Sequence, residues 1–199
     1  MEPIAFGRLL RSNTLSCVVG CSVSQTDAPE FGQMVRIPLE DGVTIYGLVH
    51  DIHIDDDGLV RQIVTTPAVR AEVIEDNRRN RNMPVEMSVL FIGYARQDAI
   101  FSTLPPHPPL SLDAIYPCSD EEIRLFTAQG KFGYLRHLFR NPELPADDLL
   151  TAHFKQIQQA CGSSLDEAVL NEVIALLKDD YPRLTTVLKA VSDVTREGR

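Results

Sequence analysis

A chain of 199 residues with 44% apolar and 24% charged side chains has enough apolar material for one medium domain or two small ones, without disulfide staples. Its formal net charge of -9 argues against a general nucleic-acid binder, which needs a basic face. No apolar run is long enough to span a bilayer, and the opening MEPIAFGRLL lacks a basic start followed by a long apolar segment, so neither a membrane span nor a secretory signal is expected. The corresponding expectation is a cytoplasmic protein in which Cys17, Cys21, Cys118 and Cys161 are reduced thiols.

In chain order, IAFGRLLR, TLSCVVGCSV, QMVRIPL, VTIYGLVHDIHI, LVRQIVTTP and VEMSVLFIGYAR read as strands, being short runs rich in Val, Ile and Thr and bounded by turn residues. Gly7, Gly20, Gly47 and Gly93 fall inside these runs, where glycine marks bulges or barrel corners. A small antiparallel sheet or barrel over 1–105 follows. Next, LPPHPPLSLDAIYPCS carries five prolines. Each proline lacks an N–H and restricts the residue before it, so 106–118 is expected to be an extended connector and domain boundary, with its leucines and Ile115 packing onto a neighbour. Beyond it the apolar spacing turns helical. Ser119 with Glu122 fits a capping box. Pro145 precedes a helix ended by Gly162. Ser164 with Glu167 fits a second box, opening a helix with Leu165, Val169, Ile174 and Leu177 on one face. Pro182 lies near the start of a last helix. The expectation is an α+β chain, an N-terminal small antiparallel β-barrel followed by a helical bundle of four or five short helices over 119–199.

Candidate chemistry concentrates in His50–Asp57. Strand alternation puts His50 with Leu48, Ile52 and Ile54, and puts His53 with Asp51 and Asp55 on the opposite face. The two histidines then diverge, and an EF-hand fails because its glycine and final glutamate do not fall in register. Asp55-Asp56-Asp57-Gly58 suits a hairpin tip. His53, Asp51 and Asp55 remain the minority metal candidates. Cys17 and Cys21 on one strand would stand roughly 13 Å apart, too far for one ion or a disulfide. Arg78, Arg79 and Arg81 in NRRNRN form the one basic cluster and could contact phosphates, although Glu72, Glu75, Asp76 and Glu86 flank it. Residues 1–118 hold nine arginines and no lysine. No phosphate loop, nucleophile elbow, HExxH or dinucleotide fingerprint occurs, and no nucleophile–base pair can be read. No cofactor is expected, and the chain is expected not to be an enzyme.

FGRLLRSNTLSCVVGCS followed by PEFGQMVRIPLEDGVTIYGLVHDI resembles the HAS barrel, the HerA–ATP synthase barrel. The family's P-x-x-G-x-x-V segment is matched by Pro29, Gly32 and Val35, and a glycine-bearing strand follows at YGLVHDI. The later VEMSVLFIGYARQDAIFSTLPPHPPLSLDAIYPCSDEEIRLF is similar to the exit of the barrel in HerA-type ATPases, with Gly93, Tyr94, Pro105, Pro106, Pro109, Asp120 and Glu121 in matching places. The resemblance covers about residues 4–126. Those ATPases continue into a motor domain with a phosphate loop; this chain continues into helices without one, so ATP hydrolysis and DNA translocation do not carry over. What the resemblance implies is a collar-like role: an interaction or assembly module, an adaptor or regulator that docks a ring ATPase of HerA type or self-assembles into a homo-oligomer. The alternatives are a nucleic-acid-associated barrel using Arg78, Arg79 and Arg81, and a metal-dependent enzyme using the His50–Asp57 stretch.

Overall fold

The structure, a computed structural model, describes residues 4–21, 29–54, 65–66, 69–74, 85–97, 99–162 and 166–197. The strands are β1 (Gly7–Ser12), β2 (Ser16–Cys21), β3 (Met34–Pro38), β4 (Val43–Ile54), β5 (Val85–Arg96), β6 (Ala99–Phe101) and β7 (Ala114–Pro117). The helices are α1 (Asp120–Gly130), α2 (Leu135–Phe139), α3 (Ala146–Cys161), α4 (Asp166–Leu177) and α5 (Tyr181–Glu197). Every strand pairing among the described residues is antiparallel. The order β2-β1-β7-β3-β4-β5 closes on itself because β2 also pairs with the first half of β5, from Ser16↔Leu90 to Cys21↔Val85. The second half of β5 pairs instead with β6. The result is a closed six-stranded barrel with one short appended strand, and the helices follow it in sequence.

Two apolar clusters explain the composition of the strands. Leu9, Val19, Val35, Ile37, Ile45, Val49, Met87, Val89, Phe91 and Ile115 fill the barrel interior. Met34, Tyr46, Leu48, Leu90 and Ile92, on the outside of β3, β4 and β5, join the helices in a second cluster around Phe126, Tyr134, Leu138, Leu149 and Phe154. The central strands β4 and β5 are therefore buried on both faces, and they read as nearly continuous apolar runs (VTIYGLV, SVLFIGY). β1 and β2 alternate buried with exposed or half-buried residues, and among the described residues no helix lies over their outer face. Among the described residues the helices pack on the β3–β5 side of the barrel.

Two features differ from the sequence expectation. The proline stretch read as a connector contributes β7, which slots between β1 and β3 and completes the barrel wall. Its Ile115 is fully buried, but Leu110 and Leu112 are 73% and 68% exposed rather than packed on a neighbour. On α4 the buried face is Val169, Val173 and Leu177, one residue per turn, and Ile174 is exposed. The expected strand LVRQIVTTP and the second capping box at Ser164 lie wholly or partly outside the described residues. The first box is present: the Ser119 hydroxyl accepts from the Glu122 N–H, and the Glu122 carboxylate accepts from the Ser119 N–H. Among the described residues no helix is long and apolar enough to cross a membrane.

Candidate functional site

Of the residues singled out from the sequence, those described place Asp51 and His53 together and His50 apart at a bulge. β4 carries a bulge between Val49 and Asp51, so that His50 has no register partner on β5, and Asp51, Ile52, His53 and Ile54 pair with Ser88, Met87, Glu86 and Val85. The bulge shifts the side-chain alternation by one residue. Ile52 and Ile54 thereby line up with the interior residues Met87 and Val85, whereas Leu48 belongs to the outer cluster. The expected grouping of His50 with Leu48, Ile52 and Ile54 is corrected accordingly. Asp51 and His53 do share one face, beside Ser88 and Glu86, and both are exposed. Asp55, Arg78, Arg79 and Arg81 lie outside the described residues. No group of three His, Cys, Asp or Glu able to hold a metal occurs among the described residues. Burial pushes the Cys17 thiol up to about 12, Cys21 up to about 11 and Cys118 well up, so none of these is a ready thiolate nucleophile.

The seam between barrel and helices holds the most unusual polar pair. His153 on α3 and Tyr134 before α2 are both fully buried, and the phenol oxygen meets His153 Nε2 at 2.8 Å. Burial pushes the Tyr134 phenol well up, which keeps it protonated, and lowers His153 to about 4. The ring is therefore neutral near pH 7. The Gly32 backbone and Gln156 side chain favour its protonated form, but among the described residues Nδ1 has no well-aligned hydrogen bond. A pair sealed this completely touches no solvent-borne substrate; it ties α3 to the segment before α2. Nearby, Gln156 Oε1 accepts from Met34 N at 2.8 Å, and Arg36 pairs with Glu122 at 2.7 Å while stacking on Tyr116.

The neutral histidine has a consequence in acid. The unfolded ring binds a proton below about pH 6.5, whereas the folded ring resists until about 4. Stability attributable to His153 is therefore complete above pH 6.5 and drains away as the pH falls toward 4, by about 3 kcal/mol in all. Urea unfolding at a series of pH values checks this: a His153→Gln variant is expected to have a flatter profile between pH 7 and 4 than the parent. Parallel profiles would remove the assignment.

The surface that stands out lies around the bulge in β1. β1 shifts register between Leu9 and Arg11, leaving Leu10 as the extra residue. Residues 109–113 run back alongside it: Leu112 N donates to Leu9 O, Leu9 N to Asp113 O, the Ser111 hydroxyl to Leu10 O and the Ser12 hydroxyl to Pro109 O. The turn itself is closed by Asp113 N donating to Leu110 O and by Leu110 N donating to the Asp113 carboxylate. Leu112 is the third residue of this turn and has φ +74. Such a position is the natural place for Gly or Asn, and a leucine there costs about 1–2 kcal/mol. Leu10, Leu110 and Leu112 are all exposed, Leu10 lying over Gly20 of β2 and the other two in the turn. The Arg8 guanidinium donates to Leu112 O at 2.8 Å, and Arg11 stands 3.9 Å from Glu86.

Leu112 thus adds strain and gains little burial, and Leu110, two residues before it, also gains little. Neither is chosen by what folds the chain. The sequence could not single them out, because a leucine near prolines reads as core until the strand that follows it is placed. Leu10 was legible only as one residue of a strand. No family model matches the chain, and no curated protein matches it.

Proposed function

We propose that the protein is a non-enzymatic docking module, an adaptor or regulator whose barrel face at β1 binds another protein chain. One observation carries this: a leucine held in the left-handed region, most of its surface in water, with Leu110 exposed in the same turn and the Arg8 guanidinium on its carbonyl. Exposed apolar patches with polar rims mark interaction sites, and arginine is enriched where partners dock. The likeness of residues 4–126 to the HAS barrel of HerA-type ATPases points to the same use, as a collar beside a ring ATPase. The closed antiparallel barrel, with helices after it, is compatible with that role.

The test is affinity capture from the native cell with the tagged chain and with a Leu110→Ser, Leu112→Asn double variant. The variant is expected to melt no lower than the parent, since asparagine tolerates the backbone that leucine resists, and to lose the captured protein. Equal capture by both chains would sink the reading.

A further inference from the structure

We infer that the corner formed by α2 and the turn before it is a binding site for a phosphate group, held by Arg136 and Arg140. The site lies on the helical side of the molecule and does not depend on the docking role proposed above.

Acidic residues outnumber basic ones 28 to 19 in this chain, yet residues 123–142 contain Arg124, Lys131, Arg136, His137 and Arg140 and no aspartate or glutamate. The fold accounts for two of these cations. Arg124 donates to Ala160 O at 2.8 Å. Lys131 stands at the carbonyl end of α1, where positive charge suits the helix dipole. Arg136 and Arg140 have no such account. They are four residues apart around a short helix, a spacing at which like charges repel. Arg11, Arg36, Arg70, Arg96 and Arg183 each face a carboxylate. Among the described residues no ion pair reaches Arg136 or Arg140. Asp147 of α3 is taken by Arg183, and no described ion pair joins Asp148 of α3, Glu167 or Glu172 of α4, or Glu143 of the following turn to α2.

What holds Arg136 is a neutral carbonyl. Its Nη2 donates to Ser102 O, and His137 Nε2 lies 3.0 Å from the same oxygen. One carbonyl orients both side chains but cancels no charge. Burial lowers His137, the Ser102 carbonyl favours its protonated form, and Arg136 and Arg140 lower it again. Both guanidiniums are therefore within electrostatic reach of one imidazole, and no carboxylate among the described residues offsets them there. Gly133 leaves Nη1 of Arg136 open: a Cβ would lie 3.7 Å from it and fill the space. Arg140 is exposed, and its side chain makes no hydrogen bond among the described residues. Arginine meets phosphate oxygens with paired N–H donors. Two uncompensated guanidiniums match a phosphate group, which carries nearly two negative charges near pH 7.

The experiment titrates the full chain with inorganic phosphate, with chloride keeping the ionic strength constant, and follows backbone and arginine N–H signals by NMR. Saturable shifts confined to residues 130–141 are expected, with a dissociation constant of about 1 mM or below. Arg136→Gln and Arg140→Gln are each expected to weaken binding about tenfold. Arg136→Gln also loses the tie to Ser102, so Arg140→Gln, expected to melt like the parent, is the decisive variant. Arg11→Gln removes the same charge from β1 and is expected to leave the constant unchanged. Phosphoserine distinguishes the source of the phosphate: tighter binding than inorganic phosphate points to a phosphorylated chain, and equal or weaker binding to the free anion. Shifts that do not saturate, a constant unchanged in Arg140→Gln, or an equal loss in Arg11→Gln would each overturn the inference. So would malonate binding as tightly as phosphate, which would make the ligand a carboxylate.

Discussion

Replacing Phe126 with alanine is expected to lower the unfolding free energy by about 3–5 kcal/mol, the range for truncating a buried aromatic. Phe126 on α1 is fully buried, with ring centroids 4.9 Å from Tyr46 of β4 and 5.3 Å from Tyr134. It also sits on Gly93 of β5, where an added Cβ would come within 2.9 Å of the phenylalanine Cζ. One ring therefore joins the barrel wall to the helices, and glycine at 93 makes its seat. Cavity creation here removes contacts from both sides at once, so the seam cannot close without moving a strand. The guanidinium midpoint is expected to fall with little change in slope. A loss below about 1 kcal/mol would mean that the seam repacks freely and that Phe126 does not join the two parts.

Gly32→Ala is expected to cost about 2–5 kcal/mol, combining a strained backbone with overpacking. Gly32 has φ +83, and a Cβ there would lie 2.5 Å from the Ala152 Cβ and 2.9 Å from His153 N. Its N–H donates to Val49 O at 2.7 Å, so the turn cannot swing away without breaking a tie to β4. Gly42 gives the control. Its φ is +79, but nothing lies within 4 Å of the site an added Cβ would occupy. Gly42→Ala then reports the backbone cost alone, and Gly32→Ala should exceed it by about 1–3 kcal/mol. Equal losses in the two variants, measured by denaturant unfolding, would show that α3 does not press on the Gly32 turn.

The legible parts of this chain were those whose physics is local. β1 to β5 announced themselves by β-branched residues and alternation. The Ser119–Glu122 box and Gly162 marked real helix ends. β6 and β7 were missed because strands of three and four residues, one of them between prolines, carry no period of their own. The pairing of β7 also depends on partners far away in sequence, as in Arg8↔Ala114. The grouping of His50 with Leu48, Ile52 and Ile54 fails for a related reason: strict alternation breaks at a bulge, and the bulge at His50 is visible only once β5 lies alongside. The leucine face was illegible in another way. That Leu110 and Leu112 are apolar was plain, but their exposure is decided by which side of residues 109–113 turns toward β1.

The position of β7 governs how the chain is made. β1 emerges from the ribosome roughly a hundred residues ahead of the strand that lies between it and β3, since Gly7 pairs with Ile115. Until residue 117 is available, β1 and β3 each present an uncovered hydrogen-bonding edge to the cell. The barrel is then completed only as α1 begins, three residues after β7 ends. Closing so long a loop makes for slow folding. Cutting the chain near residue 105 would yield a barrel missing a stave, not a smaller working unit.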